Sequence, residues 1–282
     1  MKKVDLKLIF FVLILTFFFS VVFDKHALSQ EKVYTIGVVP QFTPVEIHER
    51  WGPFVKELER RTGIKFEVKT YKSIPDFEKA FLEGEPDFAF MNPYHQVMAY
   101  KAQRYIPLVR DKKPLIGILV VRRDSEIKEV RDLDGKVIAF PAPNAFAASL
   151  YMRAILTEKF RINFTPEYVK THDNVYRQVI LGKAQAGGGV NNTLLRQPEE
   201  VRRELRVLYE TPPAAPHPLS AHPRVPKEVR DKVKEAILSL ANDQNMKGLL
   251  DKVQMPNPVP ADYARDYKPL EKLRLEKYLV LE

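Results

Sequence analysis

The sequence predicts a two-lobed α/β protein, and three observations carry that expectation. Strand-like and helix-like segments alternate along most of the chain, the pattern of mostly parallel sheets flanked by helices. Two strand-like stretches, near residues 114–123 and 210–222, are placed to cross between lobes and bracket a middle one. Between them stands a complete βα unit: the apolar run Val137-Ile138-Ala139-Phe140 passes through Pro141-Ala142-Pro143-Asn144-Ala145-Phe146 into a helix with Ala147, Leu150, Tyr151, Ala154 and Ile155 inward. The expected division is 1–29 as an export signal, 30–118 as the first part of lobe 1, 119–212 as lobe 2, and 213–282 as the return segment and C-terminal helices of lobe 1.

The amino end has the three parts of a secretory signal. Lys2, Lys3 and Lys7 precede an apolar run over residues 8–23, and Ala27 and Ser29 provide the small residues of a cleavage site after Ser29. The alternative is a retained anchor, for which the run is shorter than the ~20 residues a spanning helix prefers. Cleavage removes four lysines and two aspartates, so a chain of formal charge +9 stays basic. With no cysteine, it offers neither a disulfide, a thiolate metal site nor a lipid-modified terminus. The expected product is a free, exported, periplasmic monomer. Its basicity suits an acidic partner, but Lys and Arg alternate with Glu, as in Lys56-Glu57-Leu58-Glu59-Arg60-Arg61, which reads as a solvated helix face and excludes nucleic acid.

Taken in order, Tyr34-Thr35-Ile36-Gly37-Val38-Val39 reads as the first strand. Thr43-Pro44-Val45-Glu46 is a capping box with proline at the first helical position. Ile47, Trp51, Phe54, Val55 and Leu58 keep helical spacing, although Gly52-Pro53 is expected to divide that segment into two short helices. Strand 66–70 and a helix opening at Ser73 repeat the unit, with Phe77, Ala80 and Phe81 inward. Strand 87–91 then runs into Asn92-Pro93-Tyr94-His95 and a further helix. Residues 105–109 and 115–121 are strand candidates, Asp134-Gly135 turns the chain into the central strand, and His172-Asp173-Asn174 opens the helix of Val175, Val179 and Ile180. Gly187-Gly188-Gly189, before Asn191, allows close approach of a neighbouring backbone or a ligand. Strand 206–210, a proline-dense connection, strand 219–221 and a helix after Pro226 complete the order.

Polar loops at the carboxyl ends of strands face the crevice of an open α/β sheet, and free N–H groups at a helix start attract anions. Asn144 is the natural N-cap of the central helix, and is read either as a cap alone or as part of an anion site. Enzyme classes find little support. There is no G-x-S-x-G elbow and no catalytic cysteine, the histidines lack H-E-x-x-H or comparable metal spacing, and the glycine triplet lacks the Lys-Ser/Thr of a phosphate loop. No cofactor is expected.

The ordered segments resemble the phosphate/phosphite/phosphonate-binding proteins of bacterial ABC importers, a family of type II periplasmic binding proteins. The likeness rests on Ile36-Gly37-Val38-Val39-Pro40, Trp51-Gly52-Pro53-Phe54, Asp87-Phe88-Ala89-Phe90-Met91-Asn92-Pro93-Tyr94, Asp132-Leu133-Asp134-Gly135-Lys136, His172-Asp173, Gly182-Lys183-Ala184 and His217-Pro218-Leu219. The resemblance implies a cleft between lobes that closes by a hinge on a small anionic ligand, and a membrane permease as partner; a sensor kinase is the alternative partner. The family's hydroxyl-rich anion loop falls on 144–148, where Asn-Ala-Phe-Ala-Ala leaves only backbone donors. Together with the loops at strand ends, it makes the candidate contacts Gln41, Phe42, Met91, Asn92, Tyr94, Asn144, Ala145, Phe146, His172, Asp173 and Asn191.

Overall fold

A computed structural model describes residues 32–280; the export signal and its cleavage site after Ser29 lie outside the described residues. The first sheet has the strand order β11-β4-β10-β3-β1-β2, from β1 (Val33–Val38), β2 (Lys65–Lys69), β3 (Phe88–Phe90), β4 (Ile106–Asp111), β10 (Pro218–Ala221) and β11 (Pro258–Pro260). The second has the order β7-β6-β8-β5-β9, from β5 (Gly117–Arg122), β6 (Lys136–Phe140), β7 (Phe164–Tyr168), β8 (Ala186–Val190) and β9 (Leu205–Glu210). Both sheets are mixed, where the alternation predicts mostly parallel ones. β1 and β3 run parallel, as do β6 and its neighbours β7 and β8. β10, β11 and β5 pair antiparallel with their neighbours. For β10 and β5 the reason is topological: each arrives from the other sheet with no crossover helix of its own and is free to enter in the opposite sense.

Two crossings connect the sheets, at residues 112–116 and 211–217, and they pair with each other. Leu115 and Ala214 exchange both backbone hydrogen bonds, at 2.9 Å each. Thr211 closes the junction, its N–H donating to Gly117 O at 2.8 Å while its Oγ1 accepts from the Gly117 N–H at 2.9 Å.

Helix α1 (Pro44–Thr62) opens with the capping box of Thr43 and Glu46 and ends at Gly63, which takes φ 69°. It continues through Pro53 instead of dividing there. Pro53 and Glu49, whose carbonyl loses its intrahelical donor, are both exposed, so the defect lies on the solvent side of the helix. Ile47, Trp51, Phe54, Val55 and Leu58 are buried on either side of it. At ~1.5–3 kcal/mol per buried apolar side chain, that face outweighs the ~3 kcal/mol cost of an interior proline. Helices α2 (Ile74–Leu82), capped by Ser73, and α3 (Pro93–Gln103), capped by Asn92, complete the first lobe's cover with α8 (Lys227–Leu240) and α9 (Lys247–Lys252). Trp51 packs on Phe90 at the centre of that core.

The central helix α4 is three consecutive turns: π-type Phe146–Leu150, α Tyr151–Ile155 and π-type Leu156–Phe160. One face packs on Leu119, Ile138 and Phe140 of the second sheet. The opposite face of that sheet is covered by α5 (His172–Ile180) through Val175, Tyr176 and Val179. Short helices α6 (Asn191–Leu195) and α7 (Glu199–Glu204) lead into β9. The C-terminal turns over residues 263–278 pack Tyr267, Leu270 and Leu275 against Tyr94 and Val97 of α3 and Phe146 and Leu150 of α4. This cluster holds elements of both lobes together.

Candidate functional site

A cleft of about 950 Å³ opens between the two sheets. Its walls are the loop after β1, the loop before α2, the start of α4, the loop before α5, the start of α6, and the crossings.

The start of α4 is its most polarised feature. Ala145 precedes the helix and has no side chain to cap it; its carbonyl accepts from both Ser149 N, at 2.9 Å, and Leu150 N, at 3.0 Å, which gives the wide first turn. The N–H groups of Phe146, Ala147 and Ala148 have no acceptor among the described residues, and Ala147 and Ala148 line the cleft. Such a turn carries partial positive charge. Two glycines let it lie directly on the sheet. A Cβ on Gly117 would stand 2.2 Å from Ala147 O, and one on Gly188 2.0 Å from Ala148 O. The close approach that the glycine triplet allows is therefore made by α4 at Gly188 and by Val175, Val179 and Tyr176 of α5 at Gly187 and Gly189. Arg153, held below its usual pKa by burial, ties the preceding loop down through Pro143 O at 2.9 Å and Tyr278 O at 2.8 Å.

Asn144 is not the N-cap. It is buried, and its Nδ2 donates to Glu78 Oε1 and Oε2, at 3.0 Å each, and to Val280 O at 2.9 Å. Its Oδ1 accepts from Val280 N at 3.0 Å, and its carbonyl from Asn92 Nδ2 at 3.2 Å. Buried His95 completes the cluster, with Nε2 2.9 Å from Glu78 Oε1 and 3.0 Å from Asn92 Nδ2. A capping side chain must turn toward its own helix, whereas Glu78 on α2 and the C-terminal segment engage every polar atom of this amide.

The remaining predicted residues divide. Gln41, Phe42, Asn92, Asn144, Ala145, Phe146 and His172 line the cleft. Met91, Tyr94, Asp173 and Asn191 do not. Met91 is fully buried in the first core, and Tyr94 is stacked against Phe146 between the lobes. Asp173 is exposed and accepts from Gln197 Nε2 at 2.7 Å. Asn191 braces a crossing: its N–H donates to Ile116 O at 2.9 Å and its Oδ1 accepts from Ile116 N at 3.4 Å. Asn92 spends its Oδ1 on capping α3, accepting from Tyr94 N at 2.9 Å and His95 N at 2.8 Å. Phe42 is half-buried under the Arg50 guanidinium, 4.0 Å from the ring centroid.

Several lining residues have no motif to announce them. Gln254 Nε2 donates to Gln41 Oε1 at 2.7 Å, so the Gln41 amide turns its Nε2 toward His217 Nε2, 3.0 Å away. That donor requires a neutral His217 with its proton on Nδ1, in agreement with burial pushing this imidazole down to about 3. Burial also lowers His172, to about 4, against a smaller opposing effect of Asp173. The other charged residues on the walls are the cations Lys72, Lys113, Lys170 and Arg196 and the carboxylates Asp111 and Asp251. Asp111 is buried and already accepts from the N–H of Lys113, at 2.9 Å, and of Asn257, at 2.7 Å. The cleft is thus basic. Among the described residues, no group of three or more His, Asp or Glu side chains is placed to hold a metal ion.

The family model described as ABC transporter, phosphonate, periplasmic substrate-binding protein matches residues 36–267. The chain is 23% identical to the phosphate-import protein PhnD of Mycolicibacterium smegmatis, over 76% of this chain and 72% of that one. It is 21% identical to the phosphonates-binding periplasmic protein of Escherichia coli, over 81% and 72%. The structure of PhnD1 from Prochlorococcus marinus in complex with methylphosphonate superposes with a TM-score of 0.77 at 17% identity, covering 88% of this chain and 100% of that one.

Proposed function

The chain belongs to the family of periplasmic substrate-binding proteins of phosphonate ABC transporters, and from that premise we propose that it captures a small phosphonate- or phosphate-like oxyanion and delivers it to a membrane permease, performing no chemistry of its own. The observation that carries the proposal is the first turn of α4, whose three unpaired N–H groups open on a basic cleft. The side chains at 145, 147 and 148 are alanines, so the backbone supplies the donors there. Each N–H hydrogen bond to an ionised oxygen is of the charge-assisted kind, and the helix start adds a favourable field. The names of the relatives support the ligand class, since one is a phosphate importer, one binds phosphonates and one holds methylphosphonate.

Binding is coupled to closure. An anion held by α4 also meets the loops of the first lobe, so contacts with both lobes favour the state in which they approach, with the paired crossings as the hinge. Export proceeds with cleavage after Ser29, which the intact mass of the protein from the envelope fraction reads directly. The test of the ligand is a thermal-shift titration with phosphate, methylphosphonate and sulfate. A melting temperature that rises with the concentration of phosphate or methylphosphonate, accompanied by a smaller scattering radius, is the expected outcome. No rise with either would overturn the proposal.

A further inference from the structure

Beyond the start of α4, the cleft is also lined by apolar side chains, which offer a different chemistry. Tyr168, at the end of β7, is 38% exposed and Leu195, at the end of α6, is 58% exposed; both line the cleft and neither belongs to a hydrophobic cluster of the fold. Phe42 lines the first lobe's side of the same space. Apolar side chains thus reach the cleft from both lobes, each supported from its own lobe: Phe42 by Arg50 and the first core, Tyr168 by Phe140 and Arg153. The carboxylates offer little to a ligand amine, because Asp111 is committed to two backbone N–H groups and only Asp251 remains against four cations. The volume, about 950 Å³, lies at the upper end of the range for organic ligands.

We infer that the ligand is an oxyanion bearing an aromatic body, which packs between Phe42 of the first lobe and Tyr168 and Leu195 of the second. The inference rests on the proposed oxyanion site and adds the chemical class of the group attached to it. The anion is held by α4, and closure brings the two apolar walls onto the body, removing their surface from water together with its own.

Calorimetry with phenylphosphonate, methylphosphonate and inorganic phosphate separates the two readings. Phenylphosphonate is expected to bind at least about tenfold more tightly than methylphosphonate, the gain that burying a ring's apolar surface supplies. In L195S, and independently in Y168S, that ratio should fall several-fold; Leu195 and Tyr168 are partly solvent-exposed, so an unchanged circular dichroism spectrum is expected to certify the fold. If phenylphosphonate binds no better than methylphosphonate while methylphosphonate binds, the aromatic body is wrong and the oxyanion site stands. If none of the three binds, both readings fall. A ratio unmoved by either substitution would also overturn the placement.

Discussion

Asn144 makes hydrogen bonds to three separate parts of the chain: the Glu78 carboxylate on α2, Val280 near the carboxyl end, and Asn92 at the start of α3. Read as an N-cap, it would tolerate Asp. In its actual surroundings Asn144→Asp places a second carboxylate against Glu78, removes the donor that both Glu78 oxygens use, and does so where both side chains are almost wholly buried. A buried charge facing a like charge costs about 3–5 kcal/mol or is neutralised by taking up a proton. Urea unfolding of N144D near neutral pH should therefore show a loss of that order. Adding Glu78→Gln should recover part of it, because the amide offers a donor in place of a charge. Equal stability of N144D and the parent would mean that the cluster does not hold the loop.

At the scale of elements, the position of α4 is set by the sheet beneath it. Gly188 on β8 meets Ala148 O, and an added Cβ has only 2.0 Å. G188A must therefore move the helix start away from the sheet, at a cost of about 1–3 kcal/mol as overpacking, or more where the clash is with backbone. The same movement misplaces the free N–H groups, so affinity for methylphosphonate should fall with the melting temperature. Gly248, within α9, has nothing within 4 Å of an added Cβ and no positive φ. G248A should leave affinity alone and raise stability by about 0.5–1 kcal/mol. Matching effects from the two substitutions would remove the special role of Gly188.

For the whole molecule, burial lowers His222, and the two cleft histidines add the larger part of the pH response on the mildly acidic side. Both ionise less readily in the native protein than the ordinary value of 6.5, His172 at about 4 and His217 at about 3, chiefly because burial disfavours the charged ring. Below about pH 6.5 the unfolded chain therefore holds more protons than the native one, and stability falls as pH drops toward the native values. The stabilised carboxylates of Glu57 and Asp266, both lowered to about 2, lose their contribution only in more acidic solution. Denaturation midpoints should thus decline from about pH 7 to 5, and H217Q should make the decline shallower. A flat profile over that range would contradict the environment assigned to these rings.

Local sequence determined much of this protein. The capping box at Thr43, the caps at Ser73 and Asn92, the inward faces of α1, α2, α5 and α8, and the strand into α4 are all written in neighbouring residues, because caps and periodic burial depend on spacing within one element. The family and its two-sheet α/β plan were legible for the same reason: they follow from the order of such elements. What required the tertiary structure was every choice between partners distant in sequence. Asn144 has the composition of a cap, but Glu78 and Val280, 66 and 136 residues away, claim its side chain. Asn191 and Met91 stand beside strand ends as site residues do, yet a crossing takes one and the core the other. Pro53 breaks an isolated helix, whereas buried side chains on both sides of it sustain this one. The cleft's apolar wall comes from Phe42, Tyr168 and Leu195, which no local pattern connects, since only the folding of two lobes toward each other brings them to one space.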